Sequence, residues 1–266
     1  MTASLIDAHC HVSDVWYEPA ETLMRQMDAN GVERAVLTQL LGQYENSYQG
    51  ECVRRWPDRF VSVGALDPAA GDSIGALEKL ADGGHAGVRL RPVPAPNQTA
   101  AVADVWSYAR RLGLVISCIA TMEQLADPAF AQLAAQTGSA PILLEHGAGL
   151  GRADQTESEE VFERLLKLAA NRSLLIKLPC LGQVETRAPF VSGLQRPLRP
   201  GPAFARVAKL VEAFGAERVL WGSDFPVVST REGYANGLAW TQDALGDLPE
   251  ADRSAIFGST AARIFG

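Results

Sequence analysis

Leu5-Ile6-Asp7-Ala8-His9-Cys10-His11 is the stretch on which the fold turns. An open doubly wound sheet usually follows its first strand with a glycine-rich turn that cradles a phosphate or dinucleotide. Here the first apolar run, Leu5–His9, leads instead into His-Cys-His. Seven further strand-like runs follow: Arg34–Thr38, Phe60–Leu66, Gly87–Leu90, Leu114–Cys118, Pro141–Glu145, Leu174–Leu178 and Arg218–Gly222. Amphipathic stretches separate them, among them Glu21–Asn30, Ile74–Ala81, Ala101–Leu112, Glu123–Thr137, Glu159–Ala170 and Ala203–Phe214. Eight strands alternating with helices predict an α/β protein, a (β/α)8 TIM barrel in one domain over residues 1–266.

The 266 residues suit one barrel, and 47% hydrophobic against 21% charged residues can bury a large core. A formal net charge of -7 opposes a polyphosphate backbone, and no basic stripe with interleaved aromatics offsets it, so nucleic acid is not expected as a partner. No apolar run approaches the ~20 residues needed to span a bilayer, so no membrane partner is expected. Cys10, Cys52, Cys118 and Cys180 form no CxxC pair. Reduced thiols, no leader segment and a cytoplasmic location are the expectation.

Strand side chains alternate between faces, so Asp7, His9 and His11 are expected inside the barrel and Ile6, Ala8 and Cys10 against the helices. A lone strand histidine is usually a core residue, but two at i and i+2 at a strand's carboxyl end can share a metal such as zinc. Leu220, Gly222 and Asp224 share a face in the Trp221-Gly222-Ser223-Asp224-Phe225-Pro226 segment. In a closed barrel the eighth strand pairs with the first, which brings Asp224 beside His9 and His11 across more than two hundred residues. The alternative for Asp224 is an N-cap of the turn that follows. In Pro141–Gly147, parity predicts Ile142, Leu144 and His146 inward, with Glu145 turned away into a supporting bond.

Arg89 and Arg91 share a face at the end of the fourth strand, where a guanidinium binds a carboxylate bidentately; a salt bridge closing the rim is the competing role. Lys177 is a minor candidate for positive charge in the mouth, and His85 is expected at the opposite end as a turn residue. Two long connections, Leu40–Asn46 and Pro179–Pro202, are candidates for function. The second carries Arg187, Arg196 and Arg199, which could meet an anionic substrate or simply face solvent.

The segments IDAHCH, GVRLRP, ILLEHGAG, LLIKLP, VLWGSDFP and IFGSTAARIFG occur in the order found in the amidohydrolase superfamily, and the chain most resembles its amidohydrolase-2 branch. That resemblance implies that His9, His11, His146 and Asp224 bind a metal or the substrate. It points to one divalent metal ion, zinc or manganese, because Arg89-Leu90-Arg91 and Ser117-Cys118 offer neither the bridging lysine nor the histidine of binuclear relatives. Decarboxylases of the branch use a histidine after the fifth strand as a zinc ligand, and its absence here favours a lactonase. Some lactonases of the group work without metal.

The resulting expectation is hydrolysis of a small, anionic lactone or ester. Asp224 would be the general base, His146 would stabilise the oxyanion, and Arg89 and Arg91 would hold a substrate carboxylate. Decarboxylation of an aromatic or unsaturated acid is the alternative, and a barrel that only binds a small ligand is the third reading. A homo-oligomer is compatible with all three.

Overall fold

All eight expected strands form. The computed structural model describes residues 4–67, 71–94, 100–138, 140–150, 158–178, 180–183 and 202–266. The strands are β1 (Leu5–Cys10), β2 (Val32–Thr38), β3 (Phe60–Ala65), β4 (Gly87–Leu90), β5 (Val115–Cys118), β6 (Ile142–Leu144), β7 (Leu174–Leu178) and β8 (Val219–Trp221). Each pairs in parallel with the next, in sequence order. Parallel strands buried on both faces need near-continuous apolar runs, which these sequences supply. The circle closes just past β8, where Cys10 bridges Phe225. There His11 N–H donates to Phe225 O at 2.7 Å and Asp224 N–H donates to His9 O at 2.8 Å. The fold is a single-domain (β/α)8 barrel.

Two apolar layers hold it together. The larger lies between strands and helices, and Cys10, Ile142, Leu144, Val219 and Trp221 belong to it. The smaller fills the barrel: Ile6, Ala8, Val115, Leu143, Leu175 and Leu220 meet there, with Ala261 of the C-terminal helix Thr260–Phe265 packed among them. That plug closes one end and leaves the carboxyl ends of the strands to form the site.

This distribution corrects the expected parity twice. In β1, Ile6 and Ala8 point into the barrel, while Asp7 accepts from Tyr234 Oη at 3.0 Å on the helix side. Asp7 pairs with Ala35 but Cys10 with Leu37, so β1 carries one residue more than β2 over that interval. Such a bulge reverses the alternation. It turns His9 and His11 into the mouth although the lower half of the strand has the opposite parity from the one expected. In β6 the inward residue is Leu143, and Ile142 and Leu144 face the helices.

One long helix expected over Glu123–Thr137 is two, Met122–Ala126 and Pro128–Gln136. A proline disfavours the helical region for the residue before it. Asp127 is accordingly extended, and its side chain caps the second helix by accepting from Ala129 N–H. No helix among the described residues is long and apolar enough to cross a membrane. All four cysteines are free and buried.

Candidate active site

His9, His11, His146 and Asp224 converge at the carboxyl ends of β1, β6 and β8. The His9 ring lies 4.9 Å from that of His11 and 5.1 Å from that of His146, centroid to centroid. Asp224 Oδ1 is 3.2 Å from His11 Nε2 and 3.8 Å from His9 Nε2. Its carboxylate faces the imidazoles instead of capping the turn that follows.

Local backbone explains how these side chains arrive. His146 and Asp224 have φ of 54° and 57°, left-handed values that non-glycine residues adopt rarely and at some cost. Gly147 and Ala148 continue the left-handed run after His146. That turn delivers His146 to the mouth even though Glu145, against expectation, is also turned inward. At Gly222 a Cβ would lie 2.6 Å from His9 Cβ, so only glycine lets the end of β8 press against β1 there.

Two of the imidazoles are oriented through their other nitrogen. His11 Nδ1 donates to Thr38 O at 2.6 Å, and His146 Nδ1 donates to Gln183 Oε1 at 3.1 Å. Both patterns leave Nε2 as a lone-pair donor, the arrangement usual for metal-binding histidines. His9 Nε2 is buried without a hydrogen-bond partner. Burial first, then the charges of Lys177 and the neighbouring histidines, lowers the His9 pKa well below the usual imidazole range and keeps the ring neutral. Burial also lowers that of His146, partly opposed by Asp224 and Glu145. Asp224 goes the other way: burial would raise its pKa, but the His11 hydrogen bond and nearby positive charge outweigh it and keep the carboxylate ionised.

Below the histidines runs a buried polar network. Arg89 donates from Nε to both Glu145 oxygens at 3.0 Å and from Nη2 to Oε2 at 2.7 Å. Its Nη1 donates to Gln39 O at 3.1 Å. Ser117 Oγ donates to Glu145 Oε1 at 2.6 Å and accepts from Lys177 Nζ at 2.9 Å, and Nζ stands 3.4 Å from His9 Nδ1. Burial lowers the Lys177 pKa to about 8, against the pull of Glu145. Arg91 is exposed at the rim, lining with Tyr44, Leu66 and Trp106 a cleft of about 100 Å³. His85, ahead of β4, bonds Ser62 Oγ at 2.8 Å. Arg187, Arg196 and Arg199 lie outside the described residues.

Three contributors escaped the sequence reading. Gln183 orients His146 from the long connection after β7. Tyr17 lies 6.2 Å from the His11 ring and stacks on Trp16, an exposed aromatic lip in the loop after β1. Arg231 Nη2 lies 3.7 Å from Asp224 Oδ2. Only position in a loop at the mouth could have flagged them.

The donor set fits a divalent ion. His9, His146 and Asp224 each bring a ligand atom within 4.8 Å of the others, and His11 Nε2 borders the same carboxylate oxygen. A lone pair facing a carboxylate oxygen at 3.2 Å needs a proton or a cation between them. Two imidazole nitrogens and a carboxylate, with a third imidazole bordering the carboxylate, are ligands suited to zinc.

The amidohydrolase family model (Amidohydro_2) matches residues 6–266. The chain belongs to that amidohydrolase family. This amidohydrolase superposes on an amidohydrolase from Burkholderia multivorans with bound zinc at a TM-score of 0.80 and 20% identity, over 99% of each chain. It is similar to a probable 2-pyrone-4,6-dicarboxylic acid hydrolase from Acinetobacter baumannii with citric acid bound, at a TM-score of 0.75 and 17% identity over 100% of both chains. A 2,6-dihydroxybenzoate decarboxylase complexed with 2,6-dihydroxybenzoate aligns at 0.57 and 16% identity, over 100% of this amidohydrolase and 98% of the other chain. No curated protein matches it in sequence.

Proposed function

We propose that this amidohydrolase hydrolyses a small lactone or ester bearing a carboxylate, with Asp224 as general base. The observation that carries the reading is the Asp224 carboxylate, held ionised by its surroundings and buried against the three imidazoles at the carboxyl ends of the strands. Held by His9, His146 and Asp224, with His11 alongside, a single divalent ion, zinc or manganese, would supply a Lewis acid that polarises the carbonyl and acidifies water.

The chain's own groups account for the proton movements. Asp224 accepts a proton from the attacking water as its oxygen bonds to the carbonyl carbon. His11, its ring fixed by Thr38 O, holds the Asp224 carboxylate in place through the proton or cation that the 3.2 Å contact between them requires. The oxyanion forms beside His9, whose ring Lys177 backs with positive charge 3.4 Å from Nδ1. When the ring C–O bond breaks, Asp224 returns the proton to the leaving oxygen, giving the hydroxy acid.

Decarboxylation is the competing reading, supported by the fold shared with the 2,6-dihydroxybenzoate decarboxylase. Against it stands β5, whose inward residue near the site is Ser117, already committed to Glu145 and Lys177. It leaves that wall without an imidazole. Elemental analysis of purified protein, joined to a lactone panel followed by acid release, tests metal and reaction together. One bound ion per chain with acid release that chelation abolishes is expected; CO₂ release without ring opening would replace this reading with the decarboxylase.

A further inference from the structure

Arg231 is a half-buried cation beside Asp224 whose Nε and Nη2 make no hydrogen bond. It follows the short turn Val227–Thr230, and its N–H donates to Val228 O at 3.1 Å. Its Nη2 is 3.7 Å from Asp224 Oδ2 and its Nε is 3.4 Å from Glu232 Oε2. Both nitrogens are buried, and neither has a hydrogen-bond partner. Glu232 is the buttress: its side chain is 1% exposed, and its Oε1 accepts from Gly182 N–H at 2.9 Å. Arg231 itself keeps 14% exposure. Buried guanidinium donors are rarely left without a partner, and beside reacting groups such a donor points to a catalytic or binding role.

The arginines singled out from the sequence serve less well. Arg89 spends Nε, Nη1 and Nη2 on Glu145 and Gln39 O, and Arg91 is exposed at the rim. An anionic substrate entering beside Asp224 also meets the carboxylate of Glu232, so it needs a cation between the two. Arg231 stands there.

We propose that Arg231 is the specificity-determining residue that binds the substrate's carboxylate and holds the scissile carbonyl beside Asp224. This rests on the hydrolase reading above. A carboxylate satisfies the free donors by charge-assisted hydrogen bonds, and a planar fork does so better than an ammonium.

The test compares wild type, Arg231→Gln and Arg231→Lys on a carboxylated lactone and on the same lactone as its uncharged methyl ester. Circular dichroism and a thermal melt establish folding of each variant. Arg231→Gln is expected to lower kcat/KM for the carboxylated lactone on the order of 10- to 100-fold more than for the ester, chiefly through KM, any loss through the neighbouring Asp224 being common to both substrates; Arg231→Lys falls between. Equal losses on both substrates, or no loss on either, would overturn the assignment. A second arm needs no turnover: calorimetric titration with benzene-1,3-dicarboxylate should show binding by wild type that weakens at least about tenfold in Arg231→Gln. If wild type opens no lactone yet this difference appears, the hydrolase reading fails and the anion site stands. If wild type does not bind the dicarboxylate, or all three proteins bind it alike, the anion site fails.

Discussion

Separating Arg89 from Glu145 should be among the most damaging changes the barrel can suffer. The pair is fully desolvated, with the Glu145 side chain 0% and the Arg89 side chain 5% exposed. Three hydrogen bonds of 2.7 to 3.0 Å join them across the mouth from β4 to the end of β6. Removing one partner strands the other charge in a dry interior, a cost of about 3–5 kcal/mol. At roughly 2–4 °C per kcal/mol for a chain somewhat smaller than this one, Glu145→Met or Arg89→Met should lower Tm by about 6–20 °C. The double variant strands no charge in that pair and should recover part of the loss, so a urea-denaturation cycle is expected to show a coupling of at least about 1.5 kcal/mol. The pH dependence has a definite sign. Burial would raise the Glu145 pKa, but Arg89 and then Lys177 outweigh it and hold it at about 2, against an ordinary value of 4.5. Its contribution is therefore complete above about pH 4.5 and is lost as pH falls toward 2. Single variants within about 1 kcal/mol of wild type, or strictly additive losses, would refute the view that this pair braces the site.

Asp224→Asn keeps the shape but removes the base, and should lower kcat by about 10²- to 10⁴-fold with Tm little changed; wild-type turnover would remove Asp224 from the mechanism. Gly222→Ala places a Cβ 2.6 Å from His9 Cβ and 2.9 Å from His9 N, so it should cost about 1–3 kcal/mol in urea denaturation and depress activity by shifting His9. His85 is kept neutral by burial below its ordinary value of 6.5, so the folded state resists its protonation. Stability from this group is present above about pH 6.5 and declines as pH falls; His85→Gln should flatten the fall in denaturation midpoint between about pH 7 and pH 5.

Much of this was readable before any coordinates. Periodicity in eight apolar runs located every strand, and barrel closure alone brought Asp224 to His9 and His11. The errors of facing share one cause, backbone that departs from regular alternation. A bulge between Asp7 and Cys10 reverses β1, and the left-handed turn at His146 lets Glu145 and His146 both enter the mouth. Neither leaves a mark in a parity count. Arg231 and Gln183 were missed because loop residues carry no period, although both lie in segments that follow barrel strands, where sites of this fold are built. Arg89 was placed correctly at the mouth, but its engagement depended on the orientation of Glu145.

In the proposed reaction water adds to a carbonyl at the Asp224 and histidine centre. Its most direct test is mass spectrometry of the products formed from a carboxylated lactone in ¹⁸O-labelled water. A ring-opened hydroxy acid carrying one labelled oxygen in its new carboxylate is expected, absent with Asp224→Asn. Release of CO₂ with the ring intact and unlabelled would contradict it.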